Sequence, residues 1–378
     1  MSDMVRIVGL GASVSAAALL LVACDLGRKE VTQTGYRGTG MAQVTDVGLV
    51  VADATIPAPP YDLPDDSGPR ASQTYQNVQV LGDISTERFD HLMAAMNQWV
   101  VPANVPATEQ GCNYCHNPAN LASDEKYTKV VARRMLEMTR AINGRWSSHV
   151  KDTGVTCYTC HRGNAVPEYS WVKADDAPGR ATIRGNRRGQ NAPDPNVGYA
   201  SLPTDVFARY FEGDAARAIR VASDSALPTG HVASIKDAEE SYALMMHLSD
   251  ALGVNCTYCH NTQSFRSWTL SRAQRATAFY GIRMVLDAND QFITPLQSVF
   301  PANRKGPMGD PFKINCTTCH QGQSKPLGGI GMLALNPTLK AAPMPTAPAE
   351  GGPGAETAVP EAFNNPEAMT DTQPATRE

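Results

Sequence analysis

Eight of the nine cysteines in this chain fall into four Cys-x-x-Cys pairs, and a histidine follows each pair directly. The four sets are Cys112/Cys115/His116, Cys157/Cys160/His161, Cys256/Cys259/His260 and Cys316/Cys319/His320. Such a set is the attachment signature of c-type haem. The two thiols form thioethers to the haem vinyl groups, and the adjacent imidazole supplies the proximal nitrogen to iron. Zinc is the competing occupant, because paired cysteines and histidines are also its usual ligands. A single set would be weak evidence. Four at the same offset, behind a secretory leader, predict four covalently bound haem c groups. With the paired cysteines committed, none remains for a disulfide framework. The low aromatic content, 7%, fits a core that macrocycles help to fill.

The ninth cysteine, Cys24, closes a different pattern. Arg6 precedes an apolar and small-residue run from Ile7 to Val22, the length of a signal-peptide core and short for a membrane span. The run ends in Leu21-Val22-Ala23-Cys24, which resembles a bacterial lipoprotein signal whose cysteine becomes the lipidated first residue, and Asp25 then suggests retention at the inner membrane. An ordinary secretory signal with a chance cysteine and an uncleaved anchor are the alternatives. Residues 1–23 are thus expected to be a lipoprotein signal peptide. A formal net charge of −4 gives no reason to expect a nucleic-acid partner.

Residues 24–81 show no sustained period and read as an extended segment. From residue 82 four amphipathic helices can be proposed, one ahead of each motif. The first runs from Thr86 to Val100 behind a Ser85 cap, with Phe89, Leu92, Met93, Met96 and Val100 on one stripe. The second runs from Lys126 to Asn143, started by Ser123, Asp124 and Glu125 and stopped by Gly144. The third runs from Asp237 to Leu252, opened by a capping-box-like Asp237/Glu240 pair. The fourth spans Ser271 to Asn289. Residues 171–235 read as a connector with a short helix near Asp205 to Ile219. Residues 329–378, rich in Pro and Ala, are expected to be a disordered tail.

The halves of the chain echo one another. Asn113-Tyr114-Cys115-His116-Asn117 matches Thr257-Tyr258-Cys259-His260-Asn261, and Thr159-Cys160-His161-Arg162-Gly163 matches Thr318-Cys319-His320-Gln321-Gly322. The expected architecture is mainly α with extensive loops: a multihaem cytochrome of two pseudo-repeated di-haem units, at residues 82–170 and 236–328, with its haems in a linear array.

The sixth iron ligand separates a carrier of electrons from a haem enzyme, because chemistry on a small molecule needs an open coordination position. Met93, Met135 and Met245 lie on apolar helix faces 19, 22 and 11 residues before a first cysteine. Met96, Met138 and Met246 are their rivals, and core packing is the ordinary use of such a methionine. For the fourth haem, Met284 competes with the histidines outside the motifs, His91, His149, His231 and His247. The residues alone leave these alternatives open.

The stretch Val131-Ala132-Arg133-Arg134-Met135-Leu136-Glu137-Met138-Thr139-Arg140-Ala141-Ile142-Asn143, with Gly154-Val155-Thr156-Cys157-Tyr158-Thr159-Cys160-His161-Arg162-Gly163, closely resembles the tetrahaem cytochrome c subunit of the purple-bacterial photosynthetic reaction centre. Leu244-Met245-Met246, Leu252-Gly253-Val254-Asn255-Cys256 and Gly281-Ile282-Arg283-Met284 extend the likeness, which covers residues 76–327. The resemblance implies Met93, Met135 and Met245 as ligands of the first three haems and His149 as the ligand of the fourth, with Met284 left to packing. Arg275 matches an arginine beside the haem nearest the pigment, where a cation would raise the potential. The implied function is re-reduction of the photo-oxidised bacteriochlorophyll special pair. The implied donor is a small soluble cytochrome c or a high-potential iron–sulfur protein. The implied place is the periplasmic face of the inner, photosynthetic membrane, lipid-anchored and bound to the reaction-centre core subunits. The third haem would lie nearest the pigment and the first at the outer entrance. A multihaem reductase, an unrelated electron conduit and a redox-silent scaffold are the rival functions.

Overall fold

The computed structural model describes residues 28–35, 39–47, 56–173, 194–213, 219 and 235–340. Cys24, the leader, His231 and residues 341–378 lie outside them. The described chain is mainly helical, with long loops: β1 (Lys29–Gln33), β2 (Ala42–Asp46), α1 (Ala71–Thr74), α2 (Thr86–Val100), α3 (Tyr127–Arg145), α4 (Ser147–Val150), α5 (Cys157–His161), α6 (Val206–Tyr210), α7 (Ile235–Leu252), α8 (Ala273–Ala288) and α9 (Cys316–His320). Among these residues no helix is long and apolar enough to cross a membrane.

The long helices lie where apolar periodicity puts them, and their starts differ in instructive ways. α2 opens as expected, with the Ser85 side chain accepting from Arg88 N and Glu87 in the first turn. Asp124 and Ser123 do not cap α3, which begins at Tyr127. Asp124 instead pairs with Lys129 and Arg133, at 3.2 and 2.8 Å. Nor do Asp237 and Glu240 form a capping box, since α7 begins earlier, at Ile235. Both carboxylates reach Arg209 of α6, Asp237 at 2.7 Å and Glu240 more closely. A bidentate-capable guanidinium outcompetes a backbone N–H for these acids.

Two apolar clusters form the core. One gathers Val206, Phe207 and Phe211 from the connector, Ala243, Leu244 and Ala251 from α7, and Ile282, Met284 and Val285 from α8. The other joins Leu92, Met96 and Trp99 of α2 to Cys157, Leu333 and Leu339. Helix α3 serves both, contributing Met138 and Ile142 to the first and Leu136 to the second. Full burial of each large side chain contributes about 1.5–3 kcal/mol.

Residues 329–340 depart from the expected disordered tail. Leu339 is fully buried, and Met332 and Leu333 are nearly so. Gly154, at φ +59°, leaves the room that Leu333 occupies; a Cβ there would stand 2.4 Å from Leu333 Cδ2. These leucines follow no helical or strand period, so their burial left no pattern to read. The N-terminal segment also departs from an extended chain, forming the antiparallel hairpin β1–β2, with Val31 opposite Val44. Arg272 Nη1 donates to Thr34 O at 3.0 Å, fixing the hairpin beside the third motif.

Two buried asparagines tie the core to the segments entering motifs two and four. Asn143 Nδ2 donates to Val155 O and Leu339 O at 2.9 and 3.0 Å, and its Oδ1 accepts from Val155 N at 2.8 Å. Asn289 Nδ2 donates to Phe211 O and Ile314 O at 3.0 and 2.9 Å, and its Oδ1 accepts from Ile314 N at 2.9 Å. Val155 and Ile314 each stand two residues before a motif's first cysteine.

Candidate haem-binding sites

The four motifs take two local shapes. Motifs two and four are the single-turn helices α5 and α9, opened by reciprocal capping boxes of Thr156 with Thr159 and of Asn315 with Thr318. Each ends in a left-handed residue, Arg162 or Gln321, followed by a glycine at φ +84° or +82°. Gly163 N donates to Trp99 O, and Gly322 N to Ala251 O, both at 2.8 Å. Motifs one and three begin in 3-10 turns, Gly111–Tyr114 and Cys256–Tyr258.

All four motif histidines are held in the same way. Nδ1 lies 2.9 Å from Leu121 O for His116, 2.8 Å from Asn164 O for His161, 2.7 Å from Phe265 O for His260 and 2.8 Å from Gln323 O for His320. A carbonyl only accepts, so Nδ1 carries the proton and Nε2 presents its lone pair. That tautomer is the one a metal-binding imidazole needs, with its ring orientation fixed from behind. Burial also resists a second proton. It pushes His320 down to about 4, with His149 adding to the effect, and lowers His161 and His260.

Burial disfavours the thiolate at the motif cysteines that lie deepest. Cys115, Cys157 and Cys259 are raised to about 11 and Cys316 to about 12, with desolvation the largest cause in each. Zinc needs converging thiolates and imidazoles. Among the described residues no group of three or more His, Cys, Asp or Glu side chains is arranged to hold a metal ion. Paired thiols beside one imidazole with a free Nε2 fit a covalently held haem.

The histidine expected to serve the fourth haem lies opposite that haem's own motif. His149, in α4, faces His320 with ring centroids 6.0 Å apart and planes at 70°. Two metal–nitrogen bonds of about 2 Å each, plus part of each ring, span such a gap. His149 Nδ1 is 2.9 Å from Thr277 O, so it too presents Nε2. Its ring rests on Gly281 of α8, where a Cβ would stand 2.5 Å from Cε1. Met284 is buried in the core.

The methionines divide by burial. Met96 and Met138 are buried core residues, whereas Met93, Met135 and Met245 are half-buried at the margins of the clusters. Met246 Cε would meet a Cβ on Gly198 at 3.4 Å, so its end packs on the connector. His91 is buried with Nε2 3.1 Å from Tyr61 O. Arg275 stands at the start of α8, donating to Ser267 O and Ser271 Oγ and lying over the Trp268 ring at 4.0 Å.

The sequence offers His247 only as an alternative ligand of the fourth haem and gives no sign of the Asn143/Asn289 pair. His247 is buried among Phe207 and Phe211, with Nδ1 3.1 Å from Asn196 O and a proton affinity pushed down to about 4 by burial. A histidine one residue past a methionine pair, facing a connector without periodicity, carries no pattern that marks it.

A protein of helices and long loops with four Cys-x-x-Cys-His turns and clamped imidazoles has the make-up of a c-type cytochrome. Comparison with known proteins makes the assignment specific. The sequence profile of the family described as "Photosynthetic reaction centre cytochrome C subunit" matches residues 26–340. The chain is 50% identical over 342 residues to the photosynthetic reaction center cytochrome c subunit of Rubrivivax gelatinosus, covering 90% of this chain and 91% of the relative. It is 46% identical to the subunit of the same name from Thermochromatium tepidum, over 92% and 85% of the two chains. For that of Roseobacter denitrificans the figures are 38%, 87% and 91%. The chain belongs to the family of photosynthetic reaction centre cytochrome c subunits. It is accordingly an electron-transport protein of photosynthesis that carries covalently bound haem c and associates with the reaction centre and its membrane, not an enzyme.

Proposed function

We propose that the protein holds four haem c groups and passes electrons from a soluble periplasmic carrier to the photo-oxidised special pair. The observation that supports this reading is the neighbouring pair His149 and His320, whose imidazoles would close both sides of the fourth site. When bound, haem c supplies a one-electron couple whose potential follows the axial ligands. His116 with Met93, His161 with Met135 and His260 with Met245 would hold the other three irons, leaving no position open to a substrate. Imidazole–thioether ligation raises the potential and bis-imidazole lowers it, so motif four becomes a low step among three higher ones. Arg275 would raise the potential at motif three.

The chain is read as two di-haem units. Supporting this are the matched capping boxes, the matched left-handed residues and the paired roles of Asn143 and Asn289. Cys160 Sγ and Cys319 Sγ lie 2.7 Å apart, which favours motifs two and four as central neighbours in a linear array, with motif one at the donor end and motif three at the pigment end. The donor is a soluble c-type cytochrome or a high-potential iron–sulfur protein. Cys24 carries the lipid that anchors the chain to the periplasmic face. Two or more acyl chains give stable anchoring, and lipoprotein modification attaches that number. Flash spectroscopy on membranes tests the function. Haem oxidation within microseconds of pigment oxidation is expected; haems that stay reduced after the flash would overturn the reading.

A further inference from the structure

The helix that carries His149 is a single turn. In α4, Ser147–Val150, His149 N and Val150 N both donate to Trp146 O, at 2.8 and 3.0 Å. One turn does not hold itself together in water, because ordering its residues costs more than its few hydrogen bonds return. The exit from the turn adds strain. Lys151 leaves it at φ 53°, ψ −155°, a region that residues with a Cβ rarely occupy. The turn therefore keeps its place through side-chain anchors.

Two such anchors reach α8. One is the imidazole itself, with Nδ1 at Thr277 O and the ring lying on Gly281. The other is the residue that opens the turn. Trp146 Nε1 donates to Asp287 Oδ2 at 2.9 Å, and the indole packs at the margin of the apolar cluster of α7 and α8. Arg145 Nη1 stands 3.8 Å from the same carboxylate oxygen. A hydrogen bond accepted by a carboxylate is roughly twice as strong as one between neutral groups. Thr277 and Asp287 lie about 15 Å apart along α8, so this helix grips the turn at two separate points. Without the indole bond, the imidazole's own contact with Thr277 O is left to orient the ring.

We infer that Trp146 and Asp287 are positioning residues for the fourth haem: their hydrogen bond holds the α4 turn against α8 and so keeps His149 Nε2 turned to the iron of motif four. This rests on the reading above, in which His149 is the second imidazole of that site. Both residues act through His149. Losing their bond raises the fraction of molecules in which His149 has withdrawn, and an external ligand that competes for the opened position gains apparent affinity in proportion.

The test is W146F in the full-length, haem-loaded protein, with D287L and D287N beside it. Phenylalanine keeps an aromatic ring in the apolar cluster and removes the N–H. Leucine removes the acceptor from the α8 side, whereas asparagine keeps an oxygen that can accept from Nε1. Haem content is counted first. The reduced protein is then titrated with carbon monoxide under pressure and followed by visible difference spectra, with H149A marking the haem that belongs to motif four. In W146F and D287L the carbon monoxide concentration that half-converts that haem should fall at least about tenfold, the factor carried by a hydrogen bond to a charged group. The other three haems should titrate as in the wild type, and D287N should stay near it throughout. Wild-type titrations in W146F and D287L, an equal change at all four haems, or D287N behaving as D287L would each overturn the inference and leave the four-haem reading intact. Fewer than four haems in the wild-type protein, or an H149A variant in which no haem opens to carbon monoxide, would overturn both.

Discussion

Replacing Asn289 with leucine keeps the side chain's approximate volume and removes its hydrogen bonds, which makes it a sharp probe of how motif four is held. In the native fold Asn289 is fully buried and serves Phe211 O, Ile314 O and Ile314 N. Ile314 O keeps a second donor, Trp171 Nε1 at 2.9 Å. The substitution therefore strips partners from Phe211 O and Ile314 N, both in the interior. A buried polar group left without a partner costs about 1–3 kcal/mol, so the variant should lose about 2–6 kcal/mol. Asn143→Leu strips Val155 N, Val155 O and Leu339 O, three groups rather than two, and should lose more. Guanidinium unfolding of the purified holoprotein, followed by circular dichroism and by haem absorbance, gives both values. A loss below about 0.5 kcal/mol for Asn289→Leu, within the range of ordinary surface substitutions, would refute the reasoning. So would Asn143→Leu proving the milder change.

Two further substitutions test the ligand set. Gly281→Ala places a methyl 2.5 Å from the present position of His149 Cε1. The imidazole must then move, so the reduced variant should bind carbon monoxide at one haem where the parent binds none. A variant that stays closed to carbon monoxide would remove His149 from the fourth site. Met135→His converts a proposed imidazole–thioether site into a bis-imidazole one and should lower a single haem potential while leaving the rest in place. An unaltered titration would reassign the second site, with Met138 the next candidate.

Legibility in the sequence followed the strength of repeating pattern. The helix at Thr86–Val100 carries a cap, a first-turn acid and an unbroken stripe, and it forms with those bounds. The helices at Tyr127 and Ile235 were legible along their lengths but not at their starts, because the nearby acids found basic side chains instead of backbone N–H groups, Asp124 with Lys129 and Arg133 of the helix it precedes and Asp237 with Arg209 of the connector. The hairpin of Lys29–Gln33 with Ala42–Asp46 was invisible for a different reason. Every residue of its first strand is exposed, so the alternation that marks a half-buried strand never arises. Leu333 fills the room left by Gly154, and Leu339 is tied through its carbonyl to Asn143, and nothing local encodes either fit. At the sites, the four histidines are declared by their cysteines, whereas the backbone carbonyls that set their tautomers lie on following loops and emerge only in three dimensions. Likewise, Gly281 looks like an ordinary helical glycine until the ring of His149 is found lying on it.

Intact-mass analysis of the mature polypeptide, paired with carbon monoxide binding to the reduced native protein, addresses the central claim most directly. The account predicts four attached porphyrins and no carbon monoxide adduct. Three or fewer porphyrins, or a carbon monoxide complex in the untreated protein, would contradict it.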